Sequence, residues 1–457
     1  MAAKPSSQTA ASTCTKCRRK TPPLLLLLLP VSAALLLLLL HLHLTTSPDL
    51  IHQWRRDPTC IQRLRDAVTF LPLKDLRFAG KPLDGHTWFM SSTRDAHEDG
   101  EVQFQEFPSN ASKARILCLK GRDTHDGSRN SYALAWPHAL PPGAAFLRGL
   151  AFVSYNHYDY DNMWHGLSAA VPFVAWHIRS GGRCPYQDIT LRPPPPQRWV
   201  LYHHGELRTR AGPWLSTLME AAFGGPMSVE RFDTVAGDGT APAACFERAV
   251  VMRHNEGGMS RERRLQVYDF LRCKARVFCN VTSSSEEEGA PVIGMTLLMR
   301  NGARSFRDEA AVVGIFGKAC REVAGCRLTV AYANNLTFCQ QVKLMSVTDV
   351  LVSPHGAQLT NMFMMDRNSS VMEFFPKGWL NLAGIGQYVY HWLANWSGMN
   401  HRGAWRDPGG EPCPFPDNDR RCMSVYKNAR IGHNETYFYE WAMNVLSDVK
   451  LRKGTSI

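Results

Sequence analysis

The sequence predicts an α/β protein in which strands alternate with helices in two successive halves, behind one apolar segment near the N-terminus. From residue 150 onward, short runs rich in Val, Leu and aromatic residues alternate with longer stretches whose apolar residues recur at helical spacing. The same succession returns more regularly after residue 292. Strands that alternate with helices favour parallel sheets covered by helices. Residues 24–40 are almost only Leu, Ala, Val and Pro.

Composition limits the class of protein and its partners. The chain has 457 residues, of which 44% are hydrophobic and 20% are charged, and this length suits two globular domains better than one. The formal net charge of +12 favours anionic partners. No zinc-finger spacing and no basic stripe interleaved with aromatic residues is present in the sequence, so we expect no nucleic-acid partner.

The N-terminal region predicts a membrane anchor. Residues 1–22 are polar and basic, residues 23–44 are apolar over the length that a bilayer requires, and residues 45–84 form a stem. The basic cluster precedes the span, which predicts a cytosolic tail and a lumenal catalytic region. A cleaved signal peptide is the rival interpretation, but no clear small-x-small cleavage site follows the apolar segment.

Glycosylation signals and cysteines also point to the secretory pathway. Six segments fit the N-x-[ST] acceptor pattern, at Asn110, Asn280, Asn335, Asn368, Asn395 and Asn434. Asn335 has a second interpretation as a helix cap, because it directly precedes a helical pattern. Of 13 cysteines, eleven follow the apolar segment, and Cys320/Cys326 and Cys413/Cys422 are near-neighbour candidates for disulfides. Buried free cysteines are the alternative.

The two halves are predicted to be separate domains. Residues 85–282 form the first, residues 283–291 are a polar linker containing SSSEEEG, and residues 292–457 form the second. The second half reads as a Rossmann-type nucleotide-binding domain, and the absence of G-x-G-x-x-G argues against a dinucleotide cofactor. A tail from Trp379 to Arg430 is expected to drape over the domains, and Glu435 to Val449 is predicted to be a final helix.

One stretch, Asp349 to Pro376, has the pattern strand, tight turn, short helix, strand. This unit presents backbone N–H groups and a helix N-terminus to a phosphate. Gly356 permits close approach to the backbone, His355 is able to donate to a phosphate oxygen, and Glu373 to accept from two sugar hydroxyls. The alternative is a buried turn with a satisfied core histidine and a surface Glu. Spacing alone leaves both interpretations open.

The segment HGAQLTN followed by VMEFFP resembles the C-terminal motif of glycosyltransferase family 61, whose usual form is HGAGLTN followed by a V-x-E-x-x-P strand. The matching residues are His355, Gly356, Ala357, Leu359, Thr360, Asn361, Glu373 and Pro376. Gln358 stands where a Gly is usual. The resemblance implies a GT-B arrangement of two Rossmann-type domains, inversion, and no required metal. It also implies that five residues bind the donor: His355, Gly356, Ala357, Asn361 and Glu373.

Two arginines in the segment RNGARSFRDE extend the resemblance. Arg300 and Arg304 follow a predicted strand, at the end where such sheets bind ligands. The segment resembles the family block R-x-x-x-R-x-I-x-N-x-E, and arginine suits bidentate contact with phosphate. The sequence therefore predicts that both arginines bind the donor diphosphate; a surface loop with solvated arginines is the alternative.

The segment Asn162-Met-Trp-His165 resembles the family's N-x-[YW]-H motif in the first domain. His165 is then the candidate catalytic base or an acceptor-orienting residue, with Asn162 and Trp164 on the acceptor side. Ala169 stands where the family usually has Asp, four residues after this histidine. A core histidine on an apolar helix is the alternative.

Together these features predict an inverting, single-pass type II Golgi glycosyltransferase that uses a UDP-sugar without a metal. Plant-type members that the chain resembles transfer xylose or arabinose to xylan or N-glycans, and others transfer N-acetylglucosamine; the acceptor is thus a polysaccharide or a glycoprotein glycan. A second hypothesis is a GT-A enzyme that holds manganese with Asp159 and Asp161. A third, suggested by Ala169 and Gln358, is a catalytically silent lumenal protein that binds glycan or nucleotide.

Overall fold

A computed structural model of the chain provides the geometry. It describes residues 70–72, 100–102, 104–110, 116–120, 132–136, 144–155, 161–184, 195–202, 212–231, 244–252, 259–281, 293–379, 384–416 and 419–454. The cytosolic tail 1–22, the anchor 23–44, most of the stem and the linker 283–291 lie outside these residues, so the anchor and the domain boundary stay predictions. Within the described ranges, no helix is both long and apolar enough to cross a membrane.

The first half is built on a mixed sheet to which eight of the described strands belong. These strands are β1 (Phe70–Pro72), β2 (Phe104–Phe107), β3 (Ile116–Lys120), β4 (Tyr132–Trp136), β5 (Ala145–Tyr155), β6 (Pro196–Tyr202), β7 (Ser228–Arg231) and β8 (Ala244–Met252). They lie in the order β1-β4-β3-β8-β5-β6-β7, with β2 also paired to β8. Strands β8, β5, β6 and β7 pair in parallel, as the alternating pattern predicts. Strand β4 pairs antiparallel with β1 and β3, and β8 pairs antiparallel with β2 and β3.

Three of the helices that the structure describes cover this sheet: α1 (Met163–Arg179), α2 (Pro213–Phe223) and α3 (Arg261–Phe278). Asn162 caps α1 by accepting a hydrogen bond from the backbone N–H of Trp164 at 3.1 Å. Ser260 caps α3 by accepting from the N–H of Arg263 at 3.1 Å. Side-chain oxygens at these positions satisfy N–H groups that have no partner inside the helix. The cap on α1 fixes where the segment containing His165 begins.

The second half is a parallel sheet of β9 (Ile293–Met299), β10 (Cys326–Tyr332), β11 (Val350–Pro354), β12 (Ser370–Phe375) and β13 (Asn400–Arg406). Their order is β10-β9-β11-β12-β13, and every pair is parallel. After β9, the chain adds β10 on one side of that strand and then β11 on the other, so the direction of strand addition reverses between β9 and β11. In open α/β sheets, ligands bind outside the carboxyl ends of the strands at such a switch point.

Within the described ranges, five helices and three 3-10 helices accompany the second sheet. The helices are α4 (Glu309–Arg321), α5 (Phe338–Ser346), α6 (Val389–Ser397), α7 (Arg421–Asn428) and α8 (Glu435–Gly454). The 3-10 helices are Ala333–Asn335, Ala357–Met364 and Gly384–Tyr388. The short helix predicted after His355 is thus a 3-10 helix. The interpretation of Asn335 as a helix cap is wrong, because the side chains of Thr337 and Gln340 form a capping box two residues later.

The tail contributes more than a covering segment. Its strand β13 joins the second sheet beside β12, so the prediction that the whole tail drapes over the domains is wrong in part. The predicted final helix is confirmed as α8, which packs on α4 through a buried cluster containing Phe316, Phe438 and Ala442. Burial of these apolar side chains stabilises the sheet edge that carries β13.

The 3-10 helix Ala357–Met364 lies in the main apolar core, which contains residues of both halves. The indole N–H of Trp214 donates to Oδ1 of Asn361 at 3.1 Å. The guanidinium of the buried Arg272 donates to the backbone oxygen atoms of Phe363 and Ser397, each at 2.8 Å. These bonds satisfy carbonyl groups that would otherwise be buried without partners.

Five disulfides occur among the described cysteines, so free buried thiols are the wrong interpretation for these ten residues. The two predicted pairs, Cys320–Cys326 and Cys413–Cys422, are confirmed. Three pairs of long sequence separation were not predicted: Cys118–Cys245, Cys184–Cys273 and Cys279–Cys339. The last of these joins the end of α3 to α5, and thus ties the first half to the second.

Candidate functional site

A cleft of about 590 Å³ opens at the carboxyl end of β9 and β11, at the switch point of the second sheet. Its size falls in the range of small-molecule sites. Side chains and backbone from both halves line it, including Asp161, Asn162, Trp164, His165, Arg300, Arg304, His355, Gly356, Ala357, Gln358, Trp379, Tyr390, Met423 and Lys427. Three motifs that are far apart in the sequence therefore meet at one place.

Arg300 and Arg304 place positive charge in this cleft. Arg300 follows β9, and its Nη1 donates to the backbone oxygen of His355 at 3.2 Å. The guanidinium carbon of Arg304 lies 5.1 Å from the centre of the Trp379 ring. The Nε atoms of both arginines are buried without a hydrogen-bond partner, and neither side chain forms an ion pair with any residue that the structure describes.

Burial acts on the charge of both guanidinium groups. Burial, followed by the neighbouring charge of Arg304, lowers the pKa of Arg300 to about 10, and burial also lowers the pKa of Arg304. Arg300 nevertheless remains a cation at neutral pH. Two adjacent, partly desolvated cations that form no ion pair with a described carboxylate attract an anion, and their planar donor groups match phosphate oxygens. The alternative of a loop with solvated arginines is wrong.

Gly356 makes room for Arg300 rather than only for a ligand. Its backbone is extended, and a Cβ atom built there would lie 2.1 Å from Nη1 of Arg300 and 2.6 Å from Oε1 of Gln358. No side chain fits at these distances. Glycine at this position therefore allows the guanidinium to lie against the turn that follows β11.

His355 is a buried part of the cleft lining. Its side chain is 6% exposed, its backbone N–H donates to the oxygen of Phe374 at 2.8 Å, and its ring stacks on Phe375 with 4.6 Å between ring centres. Nδ1 of His355 lies 2.6 Å from Oε1 of Glu373. These contacts fix the ring in one orientation while it lines the cleft.

Glu373 does not line the cleft, which corrects the expectation that it accepts from sugar hydroxyls. Its side chain is 1% exposed, and its second oxygen, Oε2, lies 2.8 Å from Nε2 of His401 on β13. Burial raises the pKa of Glu373, but the hydrogen bonds and charges of His355 and His401 outweigh it and hold the pKa below its ordinary value. An ionised carboxylate between two ring donors orients His355 instead of binding a ligand.

Asn361 also lies away from the cleft, in contrast to the expectation that it binds the donor. The residue is fully buried. Its Oδ1 accepts from the indole of Trp214, and its Nδ2 donates to the backbone oxygen of Gln358 at 3.2 Å. Its amide thus holds the turn and the 3-10 helix in place. Ala357, by contrast, does line the cleft.

Gln358, at the position where the family usually has Gly, folds back against the end of β11. Its Nε2 donates to the backbone oxygen of Pro354 at 2.8 Å and to Oγ of Ser353 at 3.3 Å. Its Oε1 lies 3.5 Å from Nη1 of Arg300. The side chain of Gln358 therefore lines the cleft and contacts Arg300.

A further part of the cleft lining comes from the start of α1. His165 is half-buried and lines the cleft, so the interpretation as a core histidine is wrong; on the same helix it is His177 that is fully buried. The ring of Trp164 meets that of Tyr390 edge-on with 6.0 Å between centres. Asn162 lines the cleft while its Oδ1 serves as the helix cap.

The position four residues after His165 is part of the apolar core. Ala169 is 4% exposed and packs in the main core cluster, so no carboxylate supports His165 from there. Asp161 lines the cleft, whereas Asp159 lies outside the described residues. Within the part of the chain that the structure describes, no group of three or more His, Cys, Asp or Glu side chains is arranged to hold a metal ion.

The tail supplies site residues that the sequence did not predict. Met423 and Lys427 reach the cleft from α7, next to the disulfide Cys413–Cys422. Tyr390 reaches it from α6, and burial raises the pKa of its phenol. The sequence signal near α7 was the close spacing of Cys413 and Cys422.

All six predicted glycosylation acceptors lie at exposed positions: Asn110, Asn280, Asn335, Asn368, Asn395 and Asn434. Oδ1 of Asn434 accepts from the N–H of Tyr437 at 3.0 Å, near the start of α8. Oδ1 of Asn395 accepts from Nε of Arg261 at 3.1 Å. Exposure is required for a glycan, and their modification stays a prediction.

Comparison with protein families identifies the domain that carries this site. Residues 171–372 match the model of the family Glycosyltransferase 61. The chain contains a glycosyltransferase family 61 domain. The matched region of this glycosyltransferase includes Arg300, Arg304 and the HGAQLTN segment. It begins after His165 and ends one residue before Glu373.

Two solved structures show partial likeness to this glycosyltransferase. The iron-containing dodecameric glycosyltransferase TibC from enterotoxigenic E. coli H10407 is 10% identical, with a TM-score of 0.28 over 80% of this chain and 98% of that chain. Rubredoxin oxygen:oxidoreductase from the anaerobe Desulfovibrio gigas is 10% identical, with a TM-score of 0.23 over 48% of this chain and 47% of that one, so the match spans about half of the oxidoreductase. No curated protein sequence matches significantly.

Proposed function

We propose that this glycosyltransferase moves a sugar from a UDP-sugar to a polysaccharide or to a glycan of a glycoprotein, with inversion and without a required metal. One observation carries the proposal: Arg300 and Arg304 place two cations, without a carboxylate partner among the described residues, in a cleft at the switch point of a parallel sheet. A nucleoside diphosphate is the anion that such a position accommodates.

The remaining roles follow from the two walls of the cleft. The arginines and His355 bind the diphosphate and stabilise the charge that develops on it as the sugar leaves. His165 faces the same cleft from α1 and removes the proton of the acceptor hydroxyl, with Trp164 supporting the acceptor side. This division, one domain for the donor and one for the acceptor, is the GT-B arrangement that the family resemblance implies.

The donor sugar and the location are proposed on the family resemblance and the sequence. Xylose or arabinose is the favoured sugar, and N-acetylglucosamine is the alternative. The apolar segment 23–44, the basic tail before it and six exposed acceptor asparagines support a single-pass type II Golgi protein with its catalytic region in the lumen.

The test measures nucleotide binding and transfer on the full-length protein, produced in eukaryotic secretory cells and purified in detergent. Thermal shift and calorimetry compare UDP with GDP and CMP, each with EDTA and with manganese. Transfer assays then use radiolabelled UDP-xylose, UDP-arabinose and UDP-N-acetylglucosamine with xylan fragments and N-glycans. Arg300→Ala removes a cleft cation, and Arg327→Ala removes an exposed arginine of β10 as the matched control.

Selective binding of UDP that survives EDTA, is lost in Arg300→Ala and persists in Arg327→Ala is the expected result. Binding and transfer that require manganese would favour the metal-dependent hypothesis with Asp159 and Asp161. Binding of UDP without transfer of any sugar would favour a silent lumenal binding protein. Failure to bind any nucleotide would contradict the proposal.

A further inference from the structure

His401 is a buried partner of the site that no sequence motif indicated. It lies on β13, the strand added by the tail, and its Nε2 is 2.8 Å from Oε2 of Glu373. Glu373 in turn bonds Nδ1 of His355 with its other oxygen. The side chains of His355, Glu373 and His401 are 6%, 1% and 9% exposed. A continuous chain of three titratable groups therefore runs from the cleft across β12 to β13.

The chemistry of the central carboxylate fixes the tautomer of His355. An ionised carboxylate only accepts hydrogen bonds, so both ring nitrogens that face Glu373 must carry a proton. Nδ1 of His355 is therefore the N–H, which leaves Nε2 as the ring's second site. Among the described residues, Nε2 of His355 has no hydrogen-bond partner. It is an acceptor when the ring is neutral and a donor when the ring is an imidazolium.

Charged and titratable groups from several elements lie around this ring and its cleft. Glu373 on β12 contacts Nδ1 of His355, and His401 on β13 contacts Glu373. Arg300 and Arg304 after β9, Tyr390 on α6, Lys427 on α7, and Asp161 and His165 at the start of α1 line the same cleft as His355. Because Glu373 holds Nδ1, Nε2 is the ring nitrogen left to contact a nucleotide in this cleft.

We propose that His401 is a positioning residue that acts through Glu373 to hold the His355 ring with Nε2 towards the nucleotide. This inference rests on the proposed function. His401 donates to Oε2 of Glu373, and Oε1 of Glu373 accepts Nδ1–H of His355. Without the donor on His401, the carboxylate is free to turn and the His355 ring loses its fixed orientation. No covalent bond changes.

Three variants of the full-length protein separate this role from simple packing. His401→Phe keeps a ring but removes the donor to Glu373. His401→Gln keeps an N–H at the position of Nε2 and serves as the conservative rescue. His391→Gln removes the neighbouring histidine, whose ring centre lies 5.1 Å from that of His401, and leaves both bonds to Glu373 intact. Far-ultraviolet circular dichroism and thermal unfolding monitor folding in each case.

Calorimetry of UDP binding measures the affinity of each variant. We expect His391→Gln to bind UDP as wild type does. His401→Phe should bind UDP about tenfold more weakly, since the charge-assisted hydrogen bond that orients Glu373 is removed. His401→Gln should recover most of the affinity.

The outcomes are distinguishable from failure of the proposed function. If wild type does not bind UDP, the donor-site proposal itself is wrong. If a folded His401→Phe binds UDP as wild type does, or if His401→Gln is as weak as His401→Phe, the positioning role of His401 is overturned while the arginine site stands.

Discussion

Nδ1 of His355 lies 2.6 Å from Oε1 of Glu373, and both side chains are buried. The two residues sit on neighbouring parallel strands, at the end of β11 and within β12, where the register places Ser353 opposite Glu373. The pair thus connects the turn that lines the cleft to the interior of the sheet. A carboxylate in this position stabilises the fold and sets the direction in which the imidazole points.

Glu373→Gln should lower both stability and UDP affinity. The carboxylate is paired with two ring donors, and removing its charge leaves a buried amide whose N–H₂ faces a donor, at a cost of about 3 kcal/mol. The folded-state pKa of Glu373 lies below its ordinary value. The ionised carboxylate therefore stabilises the protein at a pH above the ordinary pKa of Glu, and this stabilisation is lost as the pH falls through the folded-state pKa.

Thermal unfolding from about pH 3 to about pH 7 checks this expectation. Wild type should lose more stability on acidification than Glu373→Gln, so the two melting temperatures should converge at the acid end. A difference between the two proteins that is the same at every pH would contradict an ionised, paired Glu373.

Gly356→Ala should weaken nucleotide binding without unfolding the protein. The added methyl group would lie 2.1 Å from Nη1 of Arg300 and must displace this guanidinium from the turn. Loss of its charge-assisted bonds to phosphate should reduce UDP affinity about 10-fold to 100-fold. Calorimetry with UDP measures the change.

Gly314→Ala is the matched control for this substitution. Gly314 lies on α4, is exposed, and has no atom within 4 Å of an added Cβ. Alanine there should stabilise the helix by up to about 1 kcal/mol and leave UDP affinity unchanged. Wild-type UDP affinity in Gly356→Ala would show that Arg300 does not depend on this glycine and would weaken its assignment to the diphosphate.

The segment around His355 could be predicted because its signals are local. Apolar β-branched runs, Pro354 and Gly356 mark strand, turn and strand within a single stretch, and the structure confirms strands β11 and β12 there. The role of Glu373 could not be predicted in this way. Its strand is buried along its whole length, and its partner His401 is 28 residues away on a strand whose position depends on the tail.

Strand β13 and the long-range disulfides show the same limit. The sequence of β13, NHRGAWR, has no alternation of apolar and polar residues, and among its buried positions only Trp405 is apolar, so no periodic pattern marks it. Cys320 and Cys326 are close in sequence and could be paired, whereas Cys279 and Cys339 meet only because α3 and α5 pack together. Tertiary packing, rather than local propensity, determines both features.

His165→Gln should lower the turnover number and leave donor binding intact. His165 lines the cleft from α1 and is proposed to act on the acceptor hydroxyl. Loss of a general base reduces the rate typically by 10²- to 10⁴-fold, about the range we expect here. Initial rates with a saturating donor give kcat, and calorimetry gives the UDP Kd.

A parallel loss of UDP affinity in His165→Gln would place His165 at the donor and contradict its role as base. Unchanged kcat would assign proton removal to another group, and Asp161 is the carboxylate among the described residues that line the cleft. Asp161→Asn then becomes the next variant to measure, because it removes that charge without changing the side-chain volume.

Cys279→Ser/Cys339→Ser should destabilise the protein more than removal of a short-range disulfide. The bond Cys279–Cys339 closes a loop with a sequence separation of 60 and joins α3 to α5, next to the 3-10 helix that carries Asn361. The chain-entropy model gives about 4 kcal/mol for such a loop and about 2 kcal/mol for Cys320–Cys326, whose separation is 6. Urea unfolding of both double variants measures the difference. Because the longer link joins two helices that both pack on the 3-10 helix Ala357–Met364, whose first residues line the cleft, its loss should also weaken UDP binding. Loss of Cys320–Cys326 should not weaken it, and equal effects of the two variants on both properties would contradict this account.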